Sequence, residues 1–184
     1  MRSSLGRRFL LVAPLLAWAQ EPAAVDLAGT PADPFRGNQI HVLLFLRTDC
    51  PISNRYAPEI QRLHQRYAPA GVRFWMVYPN REEPVEAIRR HAAEYNLPGQ
   101  ILRDPHQTLV KKTGARVTPE AAVYAADGRL VYRGRIDDRY VDLGKSRPAA
   151  ARHDLAAAID AALAGKPAAH KTTRAVGCFI SGLR

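Results

Sequence analysis

The sequence predicts a single α/β domain in which a central mixed β-sheet is flanked by helices. Its 184 residues are enough for one compact domain with a hydrophobic core and few for two. Apolar, β-rich runs alternate with segments whose apolar residues recur at helical spacing, which indicates parallel strands joined by crossover helices. Late in the sequence, an Asp-Gly turn between two such runs adds an antiparallel pair. Periodicity alone leaves several α/β folds open.

The predicted elements follow one another in the order β-α-β-α-β-α-β-β-α. Pro51 suits the first position of the first helix, where its missing N–H costs nothing, and Gly165 ends the last helix. The predicted strands span residues 39–47, 72–78, 100–102, 120–125 and 130–135. The predicted helices span residues 51–71, 82–95, 105–113 and 149–164. We expect residues 20–38 to be an irregular lead-in and residues 166–184 to be an ordered or semi-ordered tail.

The first nineteen residues have the layout of a secretory signal peptide. Residues 1–8 carry three arginines and no acid, and residues 9–19 (FLLVAPLLAWA) are almost wholly apolar and end in a small-x-small pattern. This apolar run is broken by Pro14 and is shorter than the ~20 residues of a membrane span. We therefore expect cleavage near Ala19 and an extracytoplasmic protein, periplasmic or secreted; an uncleaved N-terminal anchor is the alternative. The chain then divides into a signal peptide (1–19), a folded domain (20–165) and a C-terminal tail (166–184).

The protein is basic, with a formal net charge of +10. Its lysines and arginines are scattered and do not form a stripe with interleaved aromatic residues, so nucleic acid is not an expected partner. Attraction to anionic lipid headgroups, which would make the protein peripheral to a membrane, is a secondary expectation. The sequence leaves the oligomeric state open.

Cys50 lies where the first strong strand gives way to a helix, and this position favours a reactive thiol. The unpaired N–H groups of the first helical turn stabilise a thiolate there, although the neighbouring Asp49 opposes ionisation. The alternative is a buried core cysteine. The polar flanking residues Thr48, Asp49 and Ser53 argue against a core position. We therefore take Cys50 as the candidate nucleophile.

Three segments resemble the redoxin branch of the thioredoxin superfamily: TDCPISN at residues 48–54, VTPE at 117–120, and the stretch from Asp127-Gly128 to RGRIDD at 133–138. This branch includes the alkyl hydroperoxide reductase and thiol-specific antioxidant proteins and the exported thiol-disulfide oxidoreductases. The resemblance covers about residues 25–165 and implies a thioredoxin-like fold with a redox-active cysteine. It also implies a cis peptide bond at Thr118-Pro119, facing Cys50, where the backbone of Thr118 would pair with a partner peptide.

The sequence departs from both family patterns around Cys50. The exported disulfide reductases resemble Trp-Cys-x-x-Cys, but here Asp49 replaces the tryptophan and Ser53 the second cysteine. A single cysteine in this motif can attack a disulfide but cannot resolve the mixed disulfide from its own helix. Peroxiredoxins resemble Pro-x-x-x-Thr-x-x-Cys, but here Arg47 stands three positions before Cys50 and Thr48 only two.

Cys178 is a candidate for the missing resolving thiol. It lies in a small apolar patch, AVGCFI, within an otherwise polar tail, and Gly177 allows the backbone to approach another surface closely. We expect this patch to dock on the domain, and docking near Cys50 would make Cys178 the resolving residue. A disulfide between Cys50 and Cys178 would close a long loop, and in the chain-entropy model this would stabilise the folded state by about 4–5 kcal/mol. The alternatives are a packing role and pairing with another chain.

We therefore expect an exported thiol oxidoreductase that reduces or exchanges a protein disulfide or reduces a peroxide, with an external thiol reductant and no resident cofactor. Cys50 is the expected nucleophile and Cys178 the expected resolving thiol. Thr118 and Pro119 present the partner, and Thr48 and Ser53 complete the predicted site.

The alternative is a non-enzymatic redoxin-fold module that binds a partner or carries copper. Two cysteines and one histidine could hold Cu(I), but the six histidines are scattered without ligand spacing on one helix face.

Overall fold

A seven-stranded mixed sheet forms the centre of the protein in the computed structural model, which describes residues 24–183. The strands of this sheet are β1 (Ala24–Val25), β2 (Pro31–Ala32), β3 (His41–Phe45), β4 (Arg73–Tyr78), β5 (Gln100–Arg103), β7 (Glu120–Tyr124) and β8 (Leu130–Gly134). Their order across the sheet is β2-β1-β5-β4-β3-β7-β8. The strands β3, β4 and β5 are parallel, whereas β7 and β8 form an antiparallel hairpin beside β3. The predicted fold class, a thioredoxin-like mixed sheet flanked by helices, is confirmed.

Two further pairs of short strands lie outside the central sheet. The strands β9 (Tyr140–Asp142) and β10 (Lys145–Ser146) form a small antiparallel hairpin. The strand β6 (Val117–Thr118) pairs with β11 (Cys178–Phe179), which belongs to the C-terminal tail. The tail is therefore part of the folded protein, as its apolar patch predicted.

The helices are α1 (Pro51–Arg55), α2 (Ala57–Tyr67), α3 (Val85–Glu94), α4 (Thr108–Thr113) and α5 (Asp154–Leu163). The single helix predicted over residues 51–71 is divided at Tyr56, because Pro58 has no N–H to continue the hydrogen-bond ladder. It then ends in a 3₁₀ turn, Ala68–Ala70. None of the helices within residues 24–183 is long and apolar enough to cross a bilayer.

Three helix starts predicted from the sequence are wrong by three to five residues. The helix α5 begins at Asp154 and not at residue 149, because the Asp138 carboxylate accepts the N–H groups of Ala151 and Arg152 and holds that segment in a turn. The helix α3 begins only after Pro84, whose backbone is extended. The helix α4 begins at Thr108, since the preceding residue has a left-handed conformation.

The strand β3 is the centre of the core, and all five of its residues are buried. Val42 and Leu44 contribute to a cluster on one face of the sheet, which also receives residues of α2 and α5. Leu43 and Phe45 contribute to a second cluster on the other face, with residues of α4. Burial on both faces explains why this strand has a continuous apolar sequence and not an alternating one.

The segment before β3 differs from its prediction. Residues 20–38 were expected to be irregular, but β1 and β2 pair with each other and extend the edge of the sheet beside β5. Two-residue strands are too short to give an alternating pattern in the sequence. The predicted signal peptide, residues 1–19, lies outside the described residues.

Candidate active site

Cys50 is the residue that immediately precedes α1, as its sequence position predicted. It is the N-cap of this helix, with an extended backbone (φ −89°, ψ 109°), and Pro51 occupies the first turn. The loop that carries Cys50 follows β3, and the Cys50 N–H donates to the carbonyl of Arg47 at 3.3 Å. The side chain of Cys50 is fully buried and belongs to the first core cluster, so the expectation from its polar neighbours that it avoids a core position is wrong. The thiol therefore has a fixed position at the edge of the sheet.

The segment containing Thr118 and Pro119 lies directly against the Cys50 sulfur. The Cys50 thiol donates a hydrogen bond to the Thr118 carbonyl oxygen at 3.0 Å. The peptide bond between Thr118 and Pro119 is cis, and Thr118 is buried. These residues are thus brought together with Cys50 across 68 positions of sequence.

The tail places Cys178 in contact with Cys50. In the antiparallel pair β6–β11, Cys178 lies opposite Thr118. The two sulfur atoms are 2.6 Å apart, and the Cys178 thiol donates to the Cys50 sulfur. Both cysteines are present as free thiols, with Cys50 buried and Cys178 half-buried. The structure therefore shows the two cysteines close together, although 128 positions separate them in the sequence.

Close backbone packing and polar contacts hold the tail in this position. A Cβ atom on Gly177 would lie 2.6 Å from the carbonyl carbon of Thr118 and nearer still to its oxygen, so only glycine allows this approach. The side chain of Ile180 is buried in the second core cluster, and its N–H donates to the Arg116 carbonyl at 3.0 Å. Beyond it, the side chain of Gln107 donates to the Ser181 carbonyl at 2.6 Å.

The surroundings give the two thiols opposite acidities. Burial acts to raise the pKa of Cys50, but the hydrogen bond from the Cys178 thiol and the nearby N–H and hydroxyl of Ser53 outweigh it, so the pKa lies below its ordinary value. Burial, together with the hydrogen bond to Cys50, raises the pKa of Cys178 to about 12. Cys50 is therefore the thiol that ionises first, and Cys178 is the thiol that keeps its proton and donates it.

The predicted site residues Thr48 and Ser53 contribute in different ways. The hydroxyl of Ser53 is buried near the Cys50 sulfur without reaching full hydrogen-bond geometry, and the hydroxyl and N–H of Ser53 both lower the Cys50 pKa. Thr48 acts through its backbone, whose carbonyl accepts from the Asn54 side chain at 3.3 Å. Asp49, which was expected to oppose ionisation of Cys50, forms an ion pair with Arg47 at 2.5 Å.

Glu83 is a member of the site that was not predicted from the sequence. Its side chain is buried, and one carboxylate oxygen accepts the Thr48 N–H at 2.7 Å. Its other oxygen has no hydrogen-bond partner among the described residues, and burial raises the pKa of this carboxyl. Because β3 and β4 are parallel, the loops that follow them meet at one edge of the sheet. Glu83 lies in the loop that follows β4, so this arrangement of parallel strands is the feature from which it could have been predicted.

An open groove of about 750 Å³ runs beside the cysteine loop. The loops that follow β3, β4 and β5 form its walls, together with Ser181 and Gly182 of the tail. Arg47, Arg81 and Lys111 are the basic residues in its lining, and neither cysteine belongs to that lining. The groove is therefore adjacent to the loop that carries Cys50 and does not include either cysteine.

The described residues do not bring a histidine to the cysteine pair. In residues 24–183, one set of three potential ligands lies close enough to share a metal ion, Glu59, Asp137 and His153, and it contains neither cysteine. Arg62 donates to both carboxylate oxygens of Glu59 and so occupies part of that set. The copper arrangement of two cysteines and a histidine therefore has no support in the described part of the chain.

Solved structures of other proteins share this fold. An uncharacterized conserved protein from Geobacillus kaustophilus is 28% identical, with a TM-score of 0.72 over 86% of this chain and 87% of that one. A hypothetical protein from Sinorhizobium meliloti 1021 is 26% identical, with a TM-score of 0.70 over 85% and 88% of the two chains. A secreted disulfide oxidoreductase of Mycobacterium tuberculosis, homologous to E. coli DsbE, is 22% identical, with a TM-score of 0.54 over 77% and 93%. The similarity to the Mycobacterium tuberculosis protein is a similarity of fold.

The family comparison agrees with the fold and with the sequence motifs. None of the curated proteins compared with the chain matches it. The family model described as Redoxin matches residues 14–144, which is more than two thirds of the chain and includes Cys50 and the Thr118-Pro119 segment. This chain therefore belongs to the redoxin family, within the thioredoxin superfamily.

Proposed function

We propose that this protein is a thiol-disulfide oxidoreductase that cycles between a Cys50–Cys178 dithiol and a Cys50–Cys178 disulfide. The observation that carries the proposal is the distance of 2.6 Å between the two sulfur atoms. A disulfide bond needs about 2.05 Å, so only a small movement of the tail separates the dithiol from the bonded form. The tail supplies the second cysteine that the motif around Cys50 lacks.

Cys50 acts as the nucleophile in the first step. Its thiolate attacks one sulfur of a substrate disulfide, forms a mixed disulfide and releases the other substrate sulfur as a thiolate. The lowered pKa of Cys50 supports this role, because the thiolate is the attacking species. Since Cys50 is fully buried beneath the tail, a protein substrate reaches it only when β11 leaves β6.

Cys178 resolves the mixed disulfide in the second step. It loses its proton to the released substrate thiolate or to solvent, and its sulfur attacks the Cys50 sulfur. The second substrate sulfur leaves as a thiolate, and the chain then holds the Cys50–Cys178 disulfide. Two electrons have passed to the substrate, and an external thiol reductant must return them before the next cycle.

The other predicted site residues position this pair. The Thr118 carbonyl accepts a hydrogen bond from the Cys50 thiol. The strand β6, which ends at Thr118, pairs with the segment that approaches the Cys50 sulfur. In the reduced protein this segment is the chain's own tail. Ser53 stabilises the Cys50 thiolate, and Thr48 holds the loop through its backbone.

We place this activity outside the cytoplasm. The support is the signal-like layout of residues 1–19 and the fold that the chain shares with a secreted disulfide oxidoreductase. Substrate and reductant would then be thiol proteins of an extracytoplasmic compartment, where disulfides persist.

The test is the reduction of insulin disulfides driven by dithiothreitol, with hydrogen peroxide as a parallel substrate. We expect the wild-type mature protein to accelerate insulin reduction. We expect Cys50→Ser to abolish this activity, and Cys178→Ser to give a mixed disulfide with insulin that turns over slowly. Ser146→Ala, a change at an exposed serine of β10, is the matched control and should behave as wild type.

Two results would contradict the proposal. Faster turnover of hydrogen peroxide than of insulin would replace disulfide exchange with peroxide reduction as the activity of the cysteine pair. Undiminished binding of a partner protein by Cys50→Ser, with no activity in the wild type, would favour the non-enzymatic binding module.

A further inference from the structure

We propose that the protein dithiol that reduces the oxidised form attacks Cys178, not Cys50, and that Phe179 forms part of the surface on which this partner docks. The inference rests on the proposed function, because it requires the Cys50–Cys178 disulfide. It assigns the two cysteines to different partners: Cys50 to the substrate disulfide and Cys178 to the reductant.

Exposure of the two sulfurs is the first argument. Cys50 is 0% exposed, whereas Cys178 is half-buried, so Cys178 is the more exposed member of the pair. In the disulfide, the tail is bonded over Cys50 and cannot leave β6 freely. An incoming thiolate therefore reaches the sulfur of Cys178 without moving the tail, and it reaches the sulfur of Cys50 only by displacing the bonded strand.

The leaving group is the second argument. Attack on Cys178 expels Cys50, and attack on Cys50 expels Cys178. Thiol-disulfide exchange is faster when the expelled thiol is the more acidic one. Ser53 stays in place beside Cys50 when the tail moves, and its N–H and hydroxyl stabilise the thiolate that is expelled. Burial acts to raise the pKa of Cys178, so Cys178 is the poorer leaving group.

The reaction is balanced with a protein dithiol as the reductant. One partner thiolate attacks the Cys178 sulfur, the bond between Cys178 and Cys50 breaks, and Cys50 leaves as a thiolate. The second partner thiol loses its proton and attacks the partner's own sulfur in the mixed disulfide. The partner departs as a disulfide, Cys178 leaves as a thiolate and takes up a proton, and both cysteines of this chain are reduced.

Phe179 is placed to contact such a partner. Its side chain is 76% exposed although the next residue, Ile180, is buried in the core. Phe179 directly follows Cys178 in β11, so its side chain leaves the opposite face of the strand and lies within reach of a protein that covers this part of the tail. An aromatic side chain offers a large apolar area at such a contact. Leu183, 38% exposed, adds a second apolar side chain at the end of the same tail.

The experiment identifies the sulfur that the reductant attacks. The oxidised wild-type mature protein is mixed with a bacterial thioredoxin whose resolving cysteine is replaced by serine, and the trapped mixed disulfide is located by peptide mapping. We expect at least about tenfold more mixed disulfide on Cys178 than on Cys50. A mixed disulfide mainly on Cys50 would overturn the inference and leave the proposed function intact. If the oxidised protein contained no Cys50–Cys178 disulfide, both this inference and the proposed function would be overturned.

The contribution of Phe179 is measured with unmodified thioredoxin and with dithiothreitol. For Phe179→Ala we expect the ratio of the thioredoxin rate constant to the dithiothreitol rate constant to fall about five- to tenfold, as for truncation of an interface aromatic residue. Leu163→Ala, at an exposed leucine that ends α5, is the matched control and should keep the wild-type ratio. An unchanged ratio in Phe179→Ala would remove Phe179 from the docking surface. Reduction by dithiothreitol with no reaction of thioredoxin at either cysteine would exclude a protein dithiol as the partner.

Discussion

Gly177→Ala is the substitution that most directly separates the tail from the domain. An added Cβ would lie 2.6 Å from the Thr118 carbonyl carbon and 3.1 Å from the Pro119 nitrogen, and both are backbone atoms that cannot rotate away. Carbon atoms pack at about 3.5–4.0 Å, so the two strands must separate by about 1 Å. That separation strains the bond from the Ile180 N–H to the Arg116 carbonyl and the bond from the Thr118 hydroxyl to Cys178.

The expected size of the effect follows from overpacking. Forcing extra volume into a packed contact costs about 1–3 kcal/mol, and each 1.4 kcal/mol corresponds to a tenfold change in an equilibrium. The equilibrium ratio of docked to undocked tail should therefore decrease by a factor of about 5 to 150. The docked tail covers Cys50, so in the reduced protein the rate of Cys50 alkylation by iodoacetamide should increase by a similar factor. In the oxidised protein, the Cys50–Cys178 disulfide should become easier to reduce.

The assay is the rate of Cys50 alkylation at fixed pH, followed by mass spectrometry, together with a glutathione redox titration. Ser146→Ala is the control, because it changes an exposed serine of β10, outside the tail, and adds no atom. An unchanged alkylation rate and an unchanged redox titration in Gly177→Ala would refute the argument that this backbone contact holds the tail over Cys50.

Three further substitutions test the electrostatics and packing of the site. Cys178→Ala removes a hydrogen bond that lowers the Cys50 pKa, so the ultraviolet thiolate titration of Cys50 should move to higher pH; a shift to lower pH would contradict this. Glu83 has a folded-state pKa above its ordinary 4.5, so its contribution to stability is complete below pH 4.5 and is lost as the pH rises through the folded-state value. Glu83→Gln should therefore gain stability relative to wild type as the pH rises toward 7 in urea unfolding, and a pH-independent difference would argue against a raised pKa. Tyr56→Phe deletes a buried hydrogen bond of 2.5 Å to Asp137 and should lower the free energy of unfolding by about 1–3 kcal/mol; no loss would show that the bond is replaced.

The parts of the fold that sequence reasoning predicted are those with strong local signals. The continuous apolar run of β3, the Asp-Gly turn between β7 and β8 and the transition from strand to helix at Cys50 are all present. Helix starts were predicted less well, because they depend on tertiary contacts such as the one from Asp138 to the segment before α5. The edge strands β1 and β2 are too short to produce a period.

The site was predicted in its residue types but not in its geometry. An apolar patch around Gly177 indicated that the tail docks, yet nothing local specifies that β11 pairs with β6 and sets Cys178 against Cys50. That pairing depends on complementarity between segments far apart in the chain. Glu83 carries no motif, and it enters the site because parallel strands bring the loops at their carboxyl ends together.

Supplying the second cysteine from a tail has a consequence for accessibility. In a Cys-x-x-Cys motif both cysteines belong to one helix, so their distance changes little during the cycle. Here Cys178 belongs to a separate strand that also lies against Cys50, so in the proposed cycle the same segment would resolve the disulfide and restrict access to Cys50. The accessibility of Cys50 should therefore depend on the redox state.

The most direct test of the central claim is the location of the disulfide in the mildly oxidised, purified protein. The protein is treated with a thiol-trapping reagent, its mass is measured, and the peptides are mapped before and after reduction. We predict a monomer that has lost two hydrogens, with both thiols protected from trapping and a single linked peptide containing Cys50 and Cys178. Two free thiols, a disulfide between chains, or Cys50 oxidised alone to a sulfenic acid would contradict the two-cysteine cycle.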